Sequence, residues 1–299
     1  MTKVMIVLFI ILLTLLCLAY TIYQWKRQVP THLSSLDKIK LCFSGFVAFI
    51  ADTLGLGSFA VNIALAKLLD TFEDEELPGL TNGAQVIPGA ISSLFFLNII
   101  DVDIKTLVVL ILGTCIGGVI GGFTVAHINK QRLRLTMMLA FTAVLCLLFC
   151  YEFHWLSLSG DASALSGMQL FIGFFALILC GVLTSVGVGL FVSTQAVLFL
   201  MNISPLVAFP IMTAAGAMQQ PLTTMTMLAN NKIPIKKTMI VSFSGIAGVL
   251  VAIPIFTYLS ISWLHYLLIG LITYNICSLG LAYWKNLTMI HGNAQLKLN

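Results

Sequence analysis

The sequence predicts an all-α polytopic membrane protein with an inverted-topology repeat. Each half is a Gly-broken re-entrant helical hairpin plus three transmembrane helices, and one extra N-terminal transmembrane helix precedes them. Three observations predict this. Of 299 residues, 59% are hydrophobic and 9% charged, with mean hydropathy +1.04, which excludes a soluble globular protein. Two long apolar segments, 41–69 and 170–201, are interrupted by glycine at corresponding places, Gly55/Gly57 and Gly187/Gly189. The lysines and arginines collect in loops whose positions constrain how often the chain crosses between them.

The first apolar run, 4–23, is of membrane-span length, ~20 residues. Lys26, Arg27, Lys38 and Lys40 follow it. Cleavage as a secretory signal would leave that cluster outside, so the run reads as a retained helix with its N-terminus outside, and 1–40 as that helix plus a basic cytoplasmic loop. The first repeat, 41–151, opens with the broken segment. A polar, acidic loop at 70–82 follows (Asp70, Glu73, Asp74, Glu75, Glu76), then a span at 83–100 containing Pro88, a turn at 101–105, a Gly-rich span at 106–126, a basic stretch at 127–134 and a span at 135–151. Loop 152–167 has no Lys or Arg. The second repeat, 168–284, holds the second broken segment, spans at about 206–228, 238–258 and 264–284, and a basic loop at 229–237; 285–299 is a cytoplasmic tail.

With the basic loops 24–40, 127–134 and 229–237 inside, two clear spans and one broken segment lie between each pair. Both ends can be inside only if each broken segment enters the membrane and turns back. The two units then start on opposite sides. Residue matches support duplication: Gly83-Ala84 and Pro88 recur as Gly216-Ala217 and Pro221, and Thr53, Gly55 and Gly57 as Ser185, Gly187 and Gly189.

Helix arms that begin near mid-membrane carry unpaired N–H groups and a positive dipole end, which suits a small anion without a fixed cation. The substrate-binding candidates are Gly55, Gly57, Ser58 and Asn62 in one half and Gly187, Gly189, Ser193 and Thr194 in the other, with Gln219 and Gln220 beside Pro221. The alternative for these glycines is tight turning and close packing. Each dipole end contributes only ~0.3–2 kcal/mol, which suits a carrier that must release its cargo. Asp52 is the one acidic residue deep in an apolar run, costing ~2.5–3.5 kcal/mol at a membrane centre on insertion scales. That points to a coupling role, as a protonatable carboxylate or a cation ligand. The alternative is a charge that caps the second arm beside a wet cavity. Lys67, near the end of its arm, is expected to snorkel. Gly113, Gly117 and Gly121, with Gly118 and Gly122, read as a helix-packing stripe.

No enzyme is indicated: the five histidines (32, 127, 154, 265, 291) fall in loops, at span ends or in the tail, and Asp52 has no deep acidic partner. The seven cysteines lie in apolar runs without CxxC or Cys/His metal spacing. No cofactor, no metal, no nucleotide loop and no nucleic-acid partner is expected; the partners are a small anionic substrate and the lipid bilayer, in the cell (plasma or inner) membrane.

Two halves that each open with a Gly-rich break, here Gly55-Leu56-Gly57-Ser58 and Gly187-Val188-Gly189-Leu190, and continue into a small-residue/Pro span resemble the TauE/SafE sulfite exporter family of permeases. The resemblance covers roughly 41–284 and rests on layout. Both runs lack the family's glycine triplet, and no proline follows within ten residues. It implies a secondary transporter, an exporter, of small anions such as sulfite or organosulfonates, bound at midplane between the broken hairpins. The alternative is a proton- or cation-coupled carrier of another small solute using Asp52.

Overall fold

The computed structural model describes residues 2–28, 32–153, 160–256, 269–270 and 272–284. Its named elements are α1 (Thr2–Trp25), α2 (Ser35–Thr53), α3 (Ser58–Leu68), α4 (Leu77–Ile99), α5 (Ile104–His127), α6 (Lys130–Glu152), α7 (Gly167–Ser185), α8 (Leu190–Leu200), α9 (Pro205–Ala229) and α10 (Ile235–Phe256). Residues 272–284 are also helical and are called α11. The described chain is all-α. Its five helices α1, α4, α5, α7 and α10 are long and apolar enough to cross a membrane, which is compatible with a multi-pass membrane protein. The expected loop 259–263 and tail 285–299 lie outside the described residues, as do 154–159 of loop 152–167 and parts of the last two spans.

Local chemistry sets the boundaries. At α2, Ser34 accepts from the Asp37 N–H at 3.1 Å and the Asp37 carboxylate accepts from the Ser34 N–H at 3.2 Å, a reciprocal cap that starts the helix at Ser35. The basic residues Lys38 and Lys40 are therefore helical rather than part of a loop ending at 40. The expected acidic loop 70–82 is shorter than the sequence suggests. Pro78 opens α4, where its missing N–H costs nothing, and Thr81 and Asn82 bond back to the Leu77 and Pro78 carbonyls. Asp103 and Ser204 cap α5 and α9.

Polar residues are buried within the apolar core, and large apolar residues face outward. Asp52, Ser58, Asn62, Gln85, Gln219 and Gln220 are buried, while Leu8, Leu12, Phe171, Phe175, Leu179 and Leu250 face outward. Outward apolar faces of this extent fit a lipid surround.

Glycines set the closest contacts. A Cβ on Gly117 or Gly181 would overlap backbone carbonyl oxygens of Ile178 or Thr114, and one on Gly121 would lie 2.6 Å from the Ser185 hydroxyl, so α5 and α7 meet backbone to backbone. The other edge of the α5 stripe, Gly118 and Gly122, receives Gln219, Thr223 and Thr226 of α9. Likewise Gly45 of α2 and Gly248 of α10 leave no room for a Cβ between those helices, and Gly79 and Gly83 of α4 lie against Lys232 and Thr238 at the start of α10. The stripe is a packing device, as expected. Helices α4 and α9 also pack on each other, and α1 lies against both.

The α3–α4 loop is tied down by charge. Asp74 is paired with Lys67 of α3 and Arg134 of α6, all three nearly buried, and Arg134 also donates to the Ala282 carbonyl of α11 at 3.3 Å. Glu76 pairs with Lys237 of α10 at 3.1 Å. Lys67 therefore turns to a buried carboxylate instead of snorkelling, because Asp74 lies within reach.

Candidate functional site

The two breaks are built in the same way. At the end of α2, the Gly55 N–H donates to the Asp52 carbonyl (3.0 Å) and the Leu56 N–H to the Ala51 carbonyl (2.9 Å). At the end of α7, the Gly187 N–H donates to the Thr184 carbonyl (3.0 Å) and the Val188 N–H to the Leu183 carbonyl (3.2 Å). These bonds use the carbonyls a helix end leaves unpaired, and they turn the chain through φ +99° at Gly55 and +106° at Gly187, where a side chain would be strained. Three residues on, α3 starts at Ser58 and α8 at Leu190, each of 11 residues.

The two helix starts differ in what covers them. Asp52 reaches over the break to the start of α3: its Oδ1 accepts from the Ser58 N–H at 2.6 Å and its Oδ2 from the Gln85 Nε2 at 2.7 Å. The Ser58 hydroxyl in turn donates to the Gln85 carbonyl oxygen. The capping alternative for Asp52 is thus what the geometry contains, and the carboxylate also opens onto a cavity. At α8 the corresponding residue is Thr184, whose hydroxyl donates to the Cys180 carbonyl of its own helix (2.8 Å). The N-cap there is Gly189, and no side chain caps the helix.

Between the two starts lies a small cavity. Asp52, Gly57, Phe59 and Gln85 line one side, Gly189, Phe191 and Gln220 the other, and Gly89, Ser92, Thr213 and Gly216 complete the wall. Each glutamine lies over a glycine one turn away on its own helix. A Cβ on Gly89 would lie 3.2 Å from Gln85 Cγ, and one on Gly216 would lie 2.9 Å from Gln220 Oε1. The Gln220 Oε1 and the Ser92 hydroxyl have no hydrogen-bond partner among the described residues.

Of the sequence candidates, Asp52, Gly57, Gly189 and Gln220 line this cavity, and Ser58 joins it through Gln85. Gly55 and Gly187 form the turns and do not line it. Asn62 and Thr194 sit a turn deeper, fully buried, with both Asn62 amide atoms and the Thr194 hydroxyl unpartnered among the described residues. Ser193 bonds back to the Gly189 and Leu190 carbonyls at 3.2 Å. Gln219 points away toward α5, donating to the Thr223 hydroxyl at 2.6 Å. Gln85, Ser92, Phe59 and Phe191 are not among the candidates that the sequence singles out. Spacing carried a usable signal: Gln85 and Gly89, like Gly216 and Gln220, are four apart, the interval that stacks side chains on one helix face. No group of His, Cys, Asp or Glu that could hold a metal occurs among the described residues.

Fold and cavity together define an all-helical protein compatible with a membrane setting, with a small polar cavity between two helix breaks. No family model matches the chain, and no curated protein or solved structure matches it.

Proposed function

We propose that this protein is a secondary transporter, working as an exporter of small anions such as sulfite or organosulfonates, with the substrate held between the two broken hairpins. The observation that carries the reading is the uncapped start of α8 facing a small cavity with polar groups in its wall. The cavity has no Lys or Arg in its lining, so the helix end supplies the attraction, and weak attraction suits release.

The proposal includes an inverted repeat, 41–151 against 168–284, pairing α2 with α7, α3 with α8, α4 with α9, α5 with α10 and α6 with α11. Three observations support it: both breaks carry the same turn, α2 and α7 have 19 residues each, and the packing of α5 on α7 and α9 mirrors that of α10 on α2 and α4. It also includes membership of the TauE/SafE type, a multi-pass position in the cell membrane, an outer N-terminus and a cytoplasmic C-terminus.

An ionised Asp52 beside a bound anion is costly. At ~4 Å and an effective dielectric of ~20 the repulsion is about 4 kcal/mol, roughly three orders of magnitude in affinity. The charge of Asp52 is therefore offset when the anion binds, either by a proton, which makes it the coupling group, or by a cationic group carried on the substrate itself. A second reading, a proton- or cation-coupled carrier of another small solute, rests on the same carboxylate: both its oxygens accept hydrogen bonds and it opens onto the cavity.

The test is flux of sulfite and ethanesulfonate in proteoliposomes, with and without a proton gradient, for wild type, Gly57→Leu, Gly189→Leu and Asp52→Asn. The leucine variants are expected to block flux, and Asp52→Asn to make it indifferent to the gradient. Unchanged flux in well-folded leucine variants removes the site assignment.

A further inference from the structure

We propose that the substrate of this cavity is a small zwitterion, with its anionic group at the start of α8 and its ammonium group against Asp52 and Gln220. The inference rests on the reading of the cavity as a substrate site and names the chemical class that fits it.

The argument starts from what the wall offers. At the α8 end, Gly189 leaves the helix start open to an anion. At the α3 end the same function is already filled, because Asp52 caps that helix from within the chain. The cavity is thus polarised: one end presents helix N–H groups, the other a carboxylate. Both Asp52 oxygens accept hydrogen bonds, from the Ser58 N–H and the Gln85 amide, which is the pattern of the ionised group. These neutral donors satisfy lone pairs and leave the negative charge without a cationic partner in the cavity lining.

The second observation is independent of Asp52. Gln220, only 2% exposed, lines the cavity, and its Oε1 accepts no hydrogen bond from any described residue. A buried, unpaired acceptor calls for a donor on whatever occupies the space. A simple oxyanion brings acceptors only. An ammonium group brings three donors and a positive charge, which match the Gln220 oxygen and the Asp52 carboxylate together. The Ser92 hydroxyl, also unpartnered and lining the cavity, can serve either end. Phe59 and Phe191 supply apolar and aromatic surface suited to a short methylene linker and to a cation. The cavity is small, which limits the occupant to a compact molecule.

The test uses matched pairs in which an ammonium replaces a methyl group: 2-aminoethanesulfonate against propane-1-sulfonate, and glycine against propionate. Flux is measured in proteoliposomes, and binding as thermal stabilisation of the detergent-solubilised protein. Wild type is expected to favour the zwitterion of at least one pair tenfold or more in both readouts. Asp52→Asn and, separately, Gln220→Leu are expected to reduce that ratio at least tenfold, with a monodisperse elution profile and a single cooperative unfolding transition showing that the variants are folded. Wild type that handles both members of each pair equally, or prefers the alkyl anions, overturns the zwitterion while anion transport stands. Ratios unchanged in both variants overturn the assignment of Asp52 and Gln220. Absence of flux and stabilisation for every member, sulfite included, overturns this inference and the transport reading together.

Discussion

A Cβ on Gly57 would lie 3.6 Å from the Cβ of Phe191, and a Cβ on Gly189 would lie 3.4 Å from the Cβ of Phe59. The glycine that starts each short helix thus meets the first-turn phenylalanine of the other. This reciprocal contact brings the two breaks together and closes the cavity between them. It also exposes a difference: φ is +77° at Gly57 but −53° at Gly189.

That difference predicts unequal tolerance to alanine. Gly57→Ala forces a side chain into a backbone region that only glycine occupies without strain, and is expected to cost about 1–3 kcal/mol. Gly189→Ala has an ordinary φ and room for a methyl against Phe59, and is expected to cost no more than about 1 kcal/mol. Thermal unfolding of the two purified variants side by side checks this; equal losses would contradict it.

Asp52, Ser58 and Gln85 form one network, so their substitutions are expected not to add. Asp52→Ala leaves the Gln85 amide and the Ser58 N–H unpaired, about 1–3 kcal/mol for each buried group. Gln85→Leu made on top of it should cost less than in wild type, by about 0.5–3 kcal/mol of coupling. A double-mutant cycle on unfolding midpoints measures it, with strict additivity as the contrary result.

Asp74→Asn removes the counter-charge of Lys67 and Arg134 and is expected to destabilise by about 3–5 kcal/mol. Its pH dependence has a definite sign. Burial raises the Asp74 pKa, but the Lys67 and Arg134 hydrogen bonds and charges outweigh it and hold the carboxyl below its ordinary value. A lowered folded pKa means the unfolded chain binds the proton more readily. The stabilisation is therefore complete above about pH 4, the unfolded value, and is lost as pH falls through the lower folded value. Wild type should lose more stability than Asp74→Asn on acidification below about pH 4; parallel curves would deny the ion pairs a role.

Gly117→Ala places a methyl inside the Ile178 carbonyl of α7 and cannot be relieved by rotating a side chain. Overpacking of this kind costs typically ~1–3 kcal/mol or more, and here it separates two helix backbones. The expected outcome is a sharp fall in the yield of monodisperse protein, whereas Gly167→Ala, with nothing within 4 Å of the new methyl, should show at most a backbone penalty from its φ of +53°.

What the sequence made legible were features carried by single residues in special conformations. Gly55 and Gly187 had to be turns because no other residue accepts their φ, and hydropathy located most of the helices. The start of α4 was not legible, because Pro78 marks a loop as readily as the first turn of a helix. The pairing of Gln85 with Asp52 was hidden because it spans two helices, and the spacing that takes Gly83 to Gly216 takes Gln85 to Met218, not to a glutamine. Gln219 and Gln220 could not be told apart without helix phase, which turns one toward Gly118 and the other toward the cavity. Phe59 and Phe191 look like ordinary core aromatics until the two breaks are seen together.

The glycine contacts also decide what can slide. Where a carbonyl sits where a Cβ would be, two helices have no slack and travel as one piece. By that criterion α2 and α10 form one block, and α5 and α7 another. No such contact joins α4 to α9, whose facing glycines, Gly89 and Gly216, are covered by glutamines of their own helices. The cavity is lined by α4 and α9, across a seam that no backbone contact of this kind locks.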